Sequence, residues 1–527
     1  MSGESLVEAV RDGKADRVRE VLAMGVRPDA PDSGGSTALY VASVGGDLEI
    51  VGLLLSAGAA PDLLSLGDSD GLPLCGAACW GHEEVVEALL LAGANPNRKE
   101  SGDWTPVKWA VVGGHIGVLT RLLAFGARPL QEGRQTSLWL AADRGAVDVV
   151  RMLLNAGADP RAVNESGETA LDAALRWADV DVEAELRQQK SEVYSEPEWE
   201  ITVIREEQDD ETELITVEAR RPGQGGGGLS EKQTGHGAIA TVLERELGTR
   251  TPFETLVGRA LEFRAARPTA TEGRRDVTER PAWWESVRTL QERADTGTFE
   301  DAAKLAADPD PLRRRLGVDV LAQLGRGGDR PFATKSLPIL RRMTRDETDP
   351  ALLRSLILAL SHHGDAAALP EVLKHSRHDD PAVRDAVAFA LMSVLPPDDA
   401  LGTGELIRMT GDEHEDVRDW ATTSLSLLES DTPQIRTALA ARVEDESLVV
   451  AAEAVRGLAE RGDRRAVAGI HRLLTDPAVD NYPLDLALES AALLHDPSLR
   501  GPLEAVRELA ELHGLTAEWT EAMQGLG

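Results

Sequence analysis

Cys75, Cys79 and His82 are spaced four and three residues apart. On a helix that spacing brings two thiols and an imidazole to one face, a donor set suited to zinc. No fourth ligand is evident nearby in the chain. Two other stretches are rich in donors, "SHHGD" at 361–365 and "KHSRHDD" at 374–380. They fall at opposite ends of one expected helix. About eleven residues at about 1.5 Å each separate them by roughly 16 Å, too far for a shared ion. His375, His378 and Asp379 remain as a local set, with a solvated turn as the alternative. "GGGGLSEK" at 225–232 lacks the Gly-Lys-Ser/Thr of a phosphate loop. No Ser-His-Asp set, nucleophile elbow or zincin motif is present. The expectation is no catalytic residue, no metal and no cofactor.

The composition narrows the function classes. The 527 residues include 56 Lys and Arg against 90 Asp and Glu, a net charge of −34. That argues against a general attraction to nucleic acid or to an anionic membrane. Two cysteines imply no disulfide framework. "MSGESLVEAVRDGK" has no apolar signal region, and no apolar run of about 18 residues occurs. A cytoplasmic protein is expected. Arg outnumbers Lys, which reads as the codon bias of a GC-rich bacterial genome. Aromatics are scarce, at 4%, and Ala and Leu take their place, as suits closely packed helices.

Internal repeats organise the chain. "GVRP", "GAAP", "GANP", "GARP" and "GADP" recur with their glycines at 25, 58, 93, 126 and 157. An apolar helix precedes each, as in "VREVLAMG" and "VVEALLLAG", and a shorter one precedes that, as in "STALYVASVGG" and "WTPVKWAVVGGH". Glycine ends the second helix by taking the left-handed conformation, and proline cannot continue it. Over residues 1 to about 177 this resembles the ankyrin-repeat family in period, in the "T-P-L"-like helix start and in the Gly-His between helices. The resemblance implies stacked helix pairs with projecting hairpins, stable only as a stack.

A sixth repeat opens with "NESGETALDAALRW", and its second helix is missing from the next residues. "TGHGAIATVLE" supplies one, with Gly235, His236, Ile239, Val242 and Leu243. The sixth repeat is therefore read as split by an insertion over 178–233, since long surface insertions cost only a logarithmic entropy term. Within it, "EWEITVIREE" and "TELITVEARR" alternate like strands of a hairpin around "EEQDDE". Residues 191–219 hold eleven acidic side chains and one basic. "PGQGGGG" reads as a flexible return tether. The insertion is either a solvated flap or an acidic arm that contacts a partner or covers a groove.

Residues 249–295 read as junction helices and linker, with Trp283 and Trp284 packing at the junction. From 296 to 527 another repeat appears, as in "ETDPALLRSLILALSHHG" and "HDDPAVRDAVAFALMSVL", ending in a cap. Asp caps the second helix and Pro occupies its first turn. The "D-P-x-V-R" core at Asp380–Arg384 resembles the HEAT-repeat family, in which such Asp and Arg form a ladder between neighbours. The fold class is thus all-α, a double α-solenoid of an ankyrin array (1–248) then a HEAT array, with a small acidic β-hairpin insertion.

The ankyrin register explains Cys75 and His82 without a metal. It also places Ser36, Val44, Trp80, Asp103, Trp104, Arg134, Gln135, Asp143 and Arg144 on the concave side, as candidate contacts for a protein or peptide partner. Trp80 and Trp104 should be exposed, whereas Trp109 and Trp139 should be packed. Aromatics and Arg dominate interface energies. A secondary groove on the HEAT array would carry Arg315, Asp319, Arg354, Asp385, Phe389 and Asp419. Its mixed charge suits nucleic acid poorly. The reading is a non-catalytic scaffold or adaptor with a partner bearing a basic segment, and no membrane. The alternative is a HEAT-fold enzyme acting on nucleic acid, glycosylase-like, or on a bound peptide or small molecule.

Overall fold

The computed structural model describes residues 3–66, 71–129, 134–196, 198–221, 227–261, 280–325 and 331–525. The chain falls into two compact units, Met1–Thr289 and Leu290–Gly527.

The first unit stacks two rows of short helices. The first row is α1 (Gly3–Arg11), α3 (Ala38–Gly45), α5 (Pro73–Trp80), α7 (Pro106–Gly113), α9 (Ser137–Arg144) and α11 (Ala170–Ala178). The second row is α2 (Ala15–Ala23), α4 (Leu48–Ser56), α6 (Glu83–Leu91), α8 (Ile116–Ala124) and α10 (Val147–Asn155). Each helix buries one apolar face in a continuous core of Leu, Val, Ile and Ala, among them Leu6, Ile50, Leu89, Leu122 and Leu153. No row buries its own face, so each repeat depends on its neighbours.

After α11 the chain leaves the stack. Helix α12 (Val182–Val193) is followed by the strands β1 (Glu200–Glu207), β2 (Glu213–Arg220) and β3 (Gly227–Gln233), in the order β1-β2-β3, all antiparallel. The expected hairpin is present, with Val203 opposite Val217. The sequence reading lacked α12 and β3. Ile215 and Val217 of β2 pack with Trp177, Val182 and Leu186, so α12 gives the sheet its apolar partner. Of the expected glycine tether, residues 222–226 lie outside the described residues, and Gly227 and Gly228 begin β3. Glycine reads as flexibility in a sequence, but here it permits close approach. A Cβ on Gly227 would stand 1.9 Å from the Ala219 carbonyl oxygen, and one on Gly228 would stand 2.3 Å from the Tyr194 hydroxyl.

Helix α13 (His236–Glu246) then returns to the stack, against α11 and α10, and adds Ile239 and Leu243 to the same core. Helix α14 (Phe253–Leu261) packs on α13. In α15 (Pro281–Arg293), Trp283 is fully buried, whereas Trp284 is 44% exposed, against the expectation that both would pack.

The second unit repeats a pair of helices. One row is α17 (Pro311–Leu324), α19 (Pro350–His363), α21 (Pro381–Val394), α23 (Glu415–Leu427), α25 (Leu448–Glu460) and α27 (Asn481–Leu494). The other row is α16 (Thr296–Leu305), α18 (Ala333–Asp346), α20 (Leu369–Lys374), α22 (Ala400–Met409), α24 (Pro433–Ala440) and α26 (Ala466–Thr475). Three short helices, α28 (Arg500–Ala505), α29 (Arg507–Leu512) and α30 (Thr516–Gln524), cover the end. Asp310, Asp349 and Asp380 cap α17, α19 and α21, with proline next in each case. Arg384 grips Asp412 through two bonds of 2.9 and 2.8 Å, and Arg418 grips Asp445 through two of 3.1 Å. This is the expected ladder, each arginine reaching into the next repeat. No helix among the described residues is long and apolar enough to cross a membrane.

Candidate functional site

The turns between the rows of the first unit define where side chains can face a partner. Helices α3, α5, α7 and α9 end on the left-handed glycines Gly46, Gly81, Gly114 and Gly145. A carbonyl two residues before each glycine is bonded by the following repeat. His82 Nε2 donates to the Val44 carbonyl at 3.0 Å, His115 Nε2 to that of Cys79 at 3.0 Å, and His236 Nε2 to that of Asp143 at 3.1 Å. A carbonyl only accepts, so each Nε2 carries the proton. Where Ala146 replaces the histidine, Arg144 Nη1 donates to the Val112 carbonyl at 2.6 Å instead.

This accounts for the Cys75, Cys79 and His82 set. His82 is engaged with the backbone. Burial, and next the charge of Glu100, push the Cys75 thiol well above its ordinary range, and the same causes raise Cys79. Among the described residues no group of three His, Cys, Asp or Glu side chains could hold a metal ion. In the second unit, His375 Nε2 donates to the Thr344 carbonyl, and His378 Nδ1 accepts from the Asp380 N–H.

The nine candidate partner contacts do not form one patch. Trp80 ends α5, whereas Trp104 precedes the start of its neighbour α7. An eight-residue helix is roughly 12 Å long, so the two indoles lie at opposite ends of the row. Val44, Trp80, Asp143 and Arg144 sit at the glycine end. Ser36, Asp103, Trp104, Arg134 and Gln135 sit at the hairpin end.

At the glycine end, Trp80 is 64% exposed, as expected, and Val112 on the next helix is 39% exposed. Val44 is partly exposed. Asp143 and Arg144 are not open contacts, because the chain's own insertion covers them. Lys232 of β3 pairs with the Asp143 carboxylate and donates to its carbonyl at 2.7 Å. Glu231 lies 3.7 Å from Arg144. Burial lowers the pKa of both Lys232 and Arg144. Sequence register alone could not show this, since the covering strand is about ninety residues further along.

At the hairpin end, Ser36 is buried at 7% exposure, its N–H held by Asp32. Trp104 is only partly exposed, against expectation, because it stacks on Trp109 with ring centroids 4.2 Å apart. Trp109 donates from Nε1 to Glu100 at 2.9 Å, and Glu100 also accepts from the Leu72 N–H. Asp103 pairs with Lys99 at 3.1 Å. Arg134 is exposed and Gln135 partly so. Trp139 is packed as expected. The sequence reading missed Lys108, which is 2% exposed with its ammonium 5.8 Å from the Trp104 ring centroid, and burial lowers its pKa. A Lys where the helix pattern wants an apolar residue was the available signal.

The groove candidates of the second unit diverge along the row. Arg315 is buried and donates from Nε to Ser355 Oγ at 2.9 Å, and Asp319 is buried as well. Arg354 is exposed. Phe389 meets Trp420 edge-on at 4.7 Å. Asp385 and Asp419 are each pushed up to about 6. Burial is the largest cause for both, followed at Asp419 by the charge of Glu453. Asp385 Oδ1 is buried without a hydrogen-bond partner.

Comparison with known proteins assigns the repeats. Ankyrin repeats (3 copies) match residues 6–100, 74–164 and 107–194, and HEAT repeats match residues 337–426. The N-terminal part carries ankyrin repeats and the C-terminal part a HEAT repeat. Human ankyrin repeat and SOCS box protein 16 is 30% identical over 182 residues, which is 33% of this chain and 40% of that protein. Human palmitoyltransferase ZDHHC17 is 29% identical over 212 residues, 33% of each chain. The match thus spans well under half the length of these relatives. The crystal structure of the human ASB11 ankyrin repeat domain is 27% identical, covering 32% of this chain and 75% of that one, with a TM-score of 0.29.

Proposed function

We propose that this chain is a non-catalytic scaffold that holds a protein or peptide on the concave face of its ankyrin array. The observation that carries the reading is Trp80, an indole 64% exposed at the end of α5, with Val112 39% exposed near the same end of α7. Exposed aromatic and aliphatic side chains at one end of a helix row favour an interaction surface there. The net charge of −34 supports a partner with a basic segment and salt-dependent association. The two unpaired cysteines support residence in a reducing cytoplasm. The array extends to residue 248 on this reading, with α11 and α13 as halves of one split repeat. In support, His236 bonds Asp143 as His82 and His115 bond their own neighbours. Residues 249–295 are the junction, and 296–527 the HEAT array.

The test compares capture by the wild-type chain and by Trp80→Ala, in low and high salt. Loss of a partner by a variant with unchanged unfolding supports the reading. A partner held equally by both forms refutes this placement.

A second reading locates an activity in the HEAT groove, on a bound peptide or small molecule. Asp385 and Asp419, both pushed up to about 6, favour it, since perturbed carboxylates gather at functional sites. Nucleic acid fits less well, because carboxylates repel phosphates. A ligand whose affinity ignores Asp385→Asn with Asp419→Asn would remove this reading.

A further inference from the structure

The insertion does more than cover α9. Together with α11, α13, α14 and the start of α15 it lines a partly open cavity of about 360 Å³, within the range of small-molecule sites. The apolar part of the lining is Trp177, Val180, Val182, Ile215, Ala260 and Pro281. Trp177 is 7% exposed, and its indole N–H has no hydrogen-bond partner. An indole N–H only donates, so it is left wanting an acceptor.

Other donors share the lining. Helix α13 begins there, with Gly235, His236, Gly237 and Ala238 in the wall, and no side chain caps its first turn. An uncapped helix start presents N–H groups and a partial positive charge. Arg259, 6% exposed, also lines the cavity, with both terminal nitrogens held by Glu244 and Nη1 held by Thr241 as well, so its charge is already balanced. Arg280 lines it at the beginning of α15.

Of the five carboxylates in the lining, Asp179 is exposed and Glu211 lies in the β1–β2 turn, and the other three are engaged within the chain. Glu183 pairs with Arg187 and Arg205, and Glu213 has Arg205 and Arg280 each at 3.7 Å. Asp181 caps α12. His236 Nδ1, also buried without a partner, is the acceptor left over once Nε2 donates to Asp143. A hydroxyl beside the ligand's anionic group would satisfy it.

We infer that this cavity is a binding site for a small organic anion, with an apolar ring-sized body against Trp177 and Ile215 and a carboxylate, sulfonate or phosphate toward the start of α13. The site stands apart from the scaffold reading, since it uses neither Trp80 nor the HEAT groove.

Two fluorescent probes with the same rings test it on the full chain, the anionic anilinonaphthalene sulfonate and the neutral phenylnaphthylamine. The sulfonate should bind saturably at one site, at least tenfold more tightly than the neutral probe. It should slow hydrogen exchange at residues 235–238. Ala184→Trp, at an exposed position of the lining, should weaken both probes at least tenfold by filling the space. Arg280→Gln, which leaves the volume nearly unchanged, should weaken only the sulfonate. The site is refuted if the wild type shows no saturable binding, or if Ala184→Trp leaves it unchanged. Its anionic character is refuted if both probes bind equally and Arg280→Gln affects neither. Should Ala184→Trp lose its fold, the exchange footprint and Arg280→Gln still decide the matter.

Discussion

His236 offers the most exacting check on how the insertion is tied to the repeat stack. The ring is 2% exposed, stacks on Trp177 with centroids 5.8 Å apart, and donates to the Asp143 carbonyl. Burial, the largest cause, lowers its pKa from 6.5 to about 4, with the ammonium of Lys232 acting in the same direction. The sign follows directly. The folded chain favours the neutral ring, so the stabilisation is complete above 6.5 and is lost as the pH falls through 4. At about 1.36 kcal/mol per pH unit, the interval corresponds to about 3 kcal/mol. Hydrogen exchange followed by mass spectrometry on peptides spanning 234–248 reads this locally, after correction for the intrinsic rate. Between pH 7 and pH 4 the wild-type opening free energy should fall by about 3 kcal/mol, roughly a hundredfold in exchange. Carboxylates titrate over part of the same interval, so the comparison is with His236→Gln. Glutamine keeps a donor for Asp143 but neither titrates there nor stacks on Trp177. The variant should lose about 1–2 kcal/mol at pH 7 and most of the acid-dependent loss. A variant whose pH dependence matches wild type within threefold would show that the buried histidine is not what ties α13 down.

Arg384→Ala should destabilise the HEAT unit by about 3 kcal/mol in denaturant unfolding, because Asp412, with its side chain 6% exposed, loses its counterion. Removing both partners should cost less than the sum of the two single changes. Gly81→Ala should cost roughly 2–3 kcal/mol, since its φ of 77° is strained for alanine and the new Cβ would stand 2.7 Å from His115 Nδ1. Thermal unfolding reads it, and an unchanged midpoint would contradict the geometry. Asp385→Asn should stabilise the chain at pH 7 by about 1 kcal/mol, discounted for partial exposure. The folded pKa of about 6 lies above 3.8, so the advantage should fade as the pH drops through 6 and vanish below 3.8.

Much of this protein is legible in its sequence because repeat architectures are local. A helix pair ends on glycine and is followed by proline whatever lies elsewhere in the chain, and "D-P-x-V-R" caps a helix and aims an arginine at the next repeat. The alternation in "ITVIREE" and "ELITVEAR" marks β1 and β2 for the same reason. The rest depends on chain segments distant in sequence. β3 has no strand pattern, and its glycines matter only because Ala219 and Tyr194 stand against them. Asp143 and Arg144 follow the repeat register, yet β3 folds back over them. Trp104 is half-covered because Trp109 lies under it, and the Asp385 carboxyl is pushed up because burial takes it out of water. Periodicity and caps, which need only nearest neighbours, determined the two arrays. Exposure, pairing and cavity shape are sums over distant segments, so only the tertiary structure decided which faces stay open and where the insertion lines a cavity.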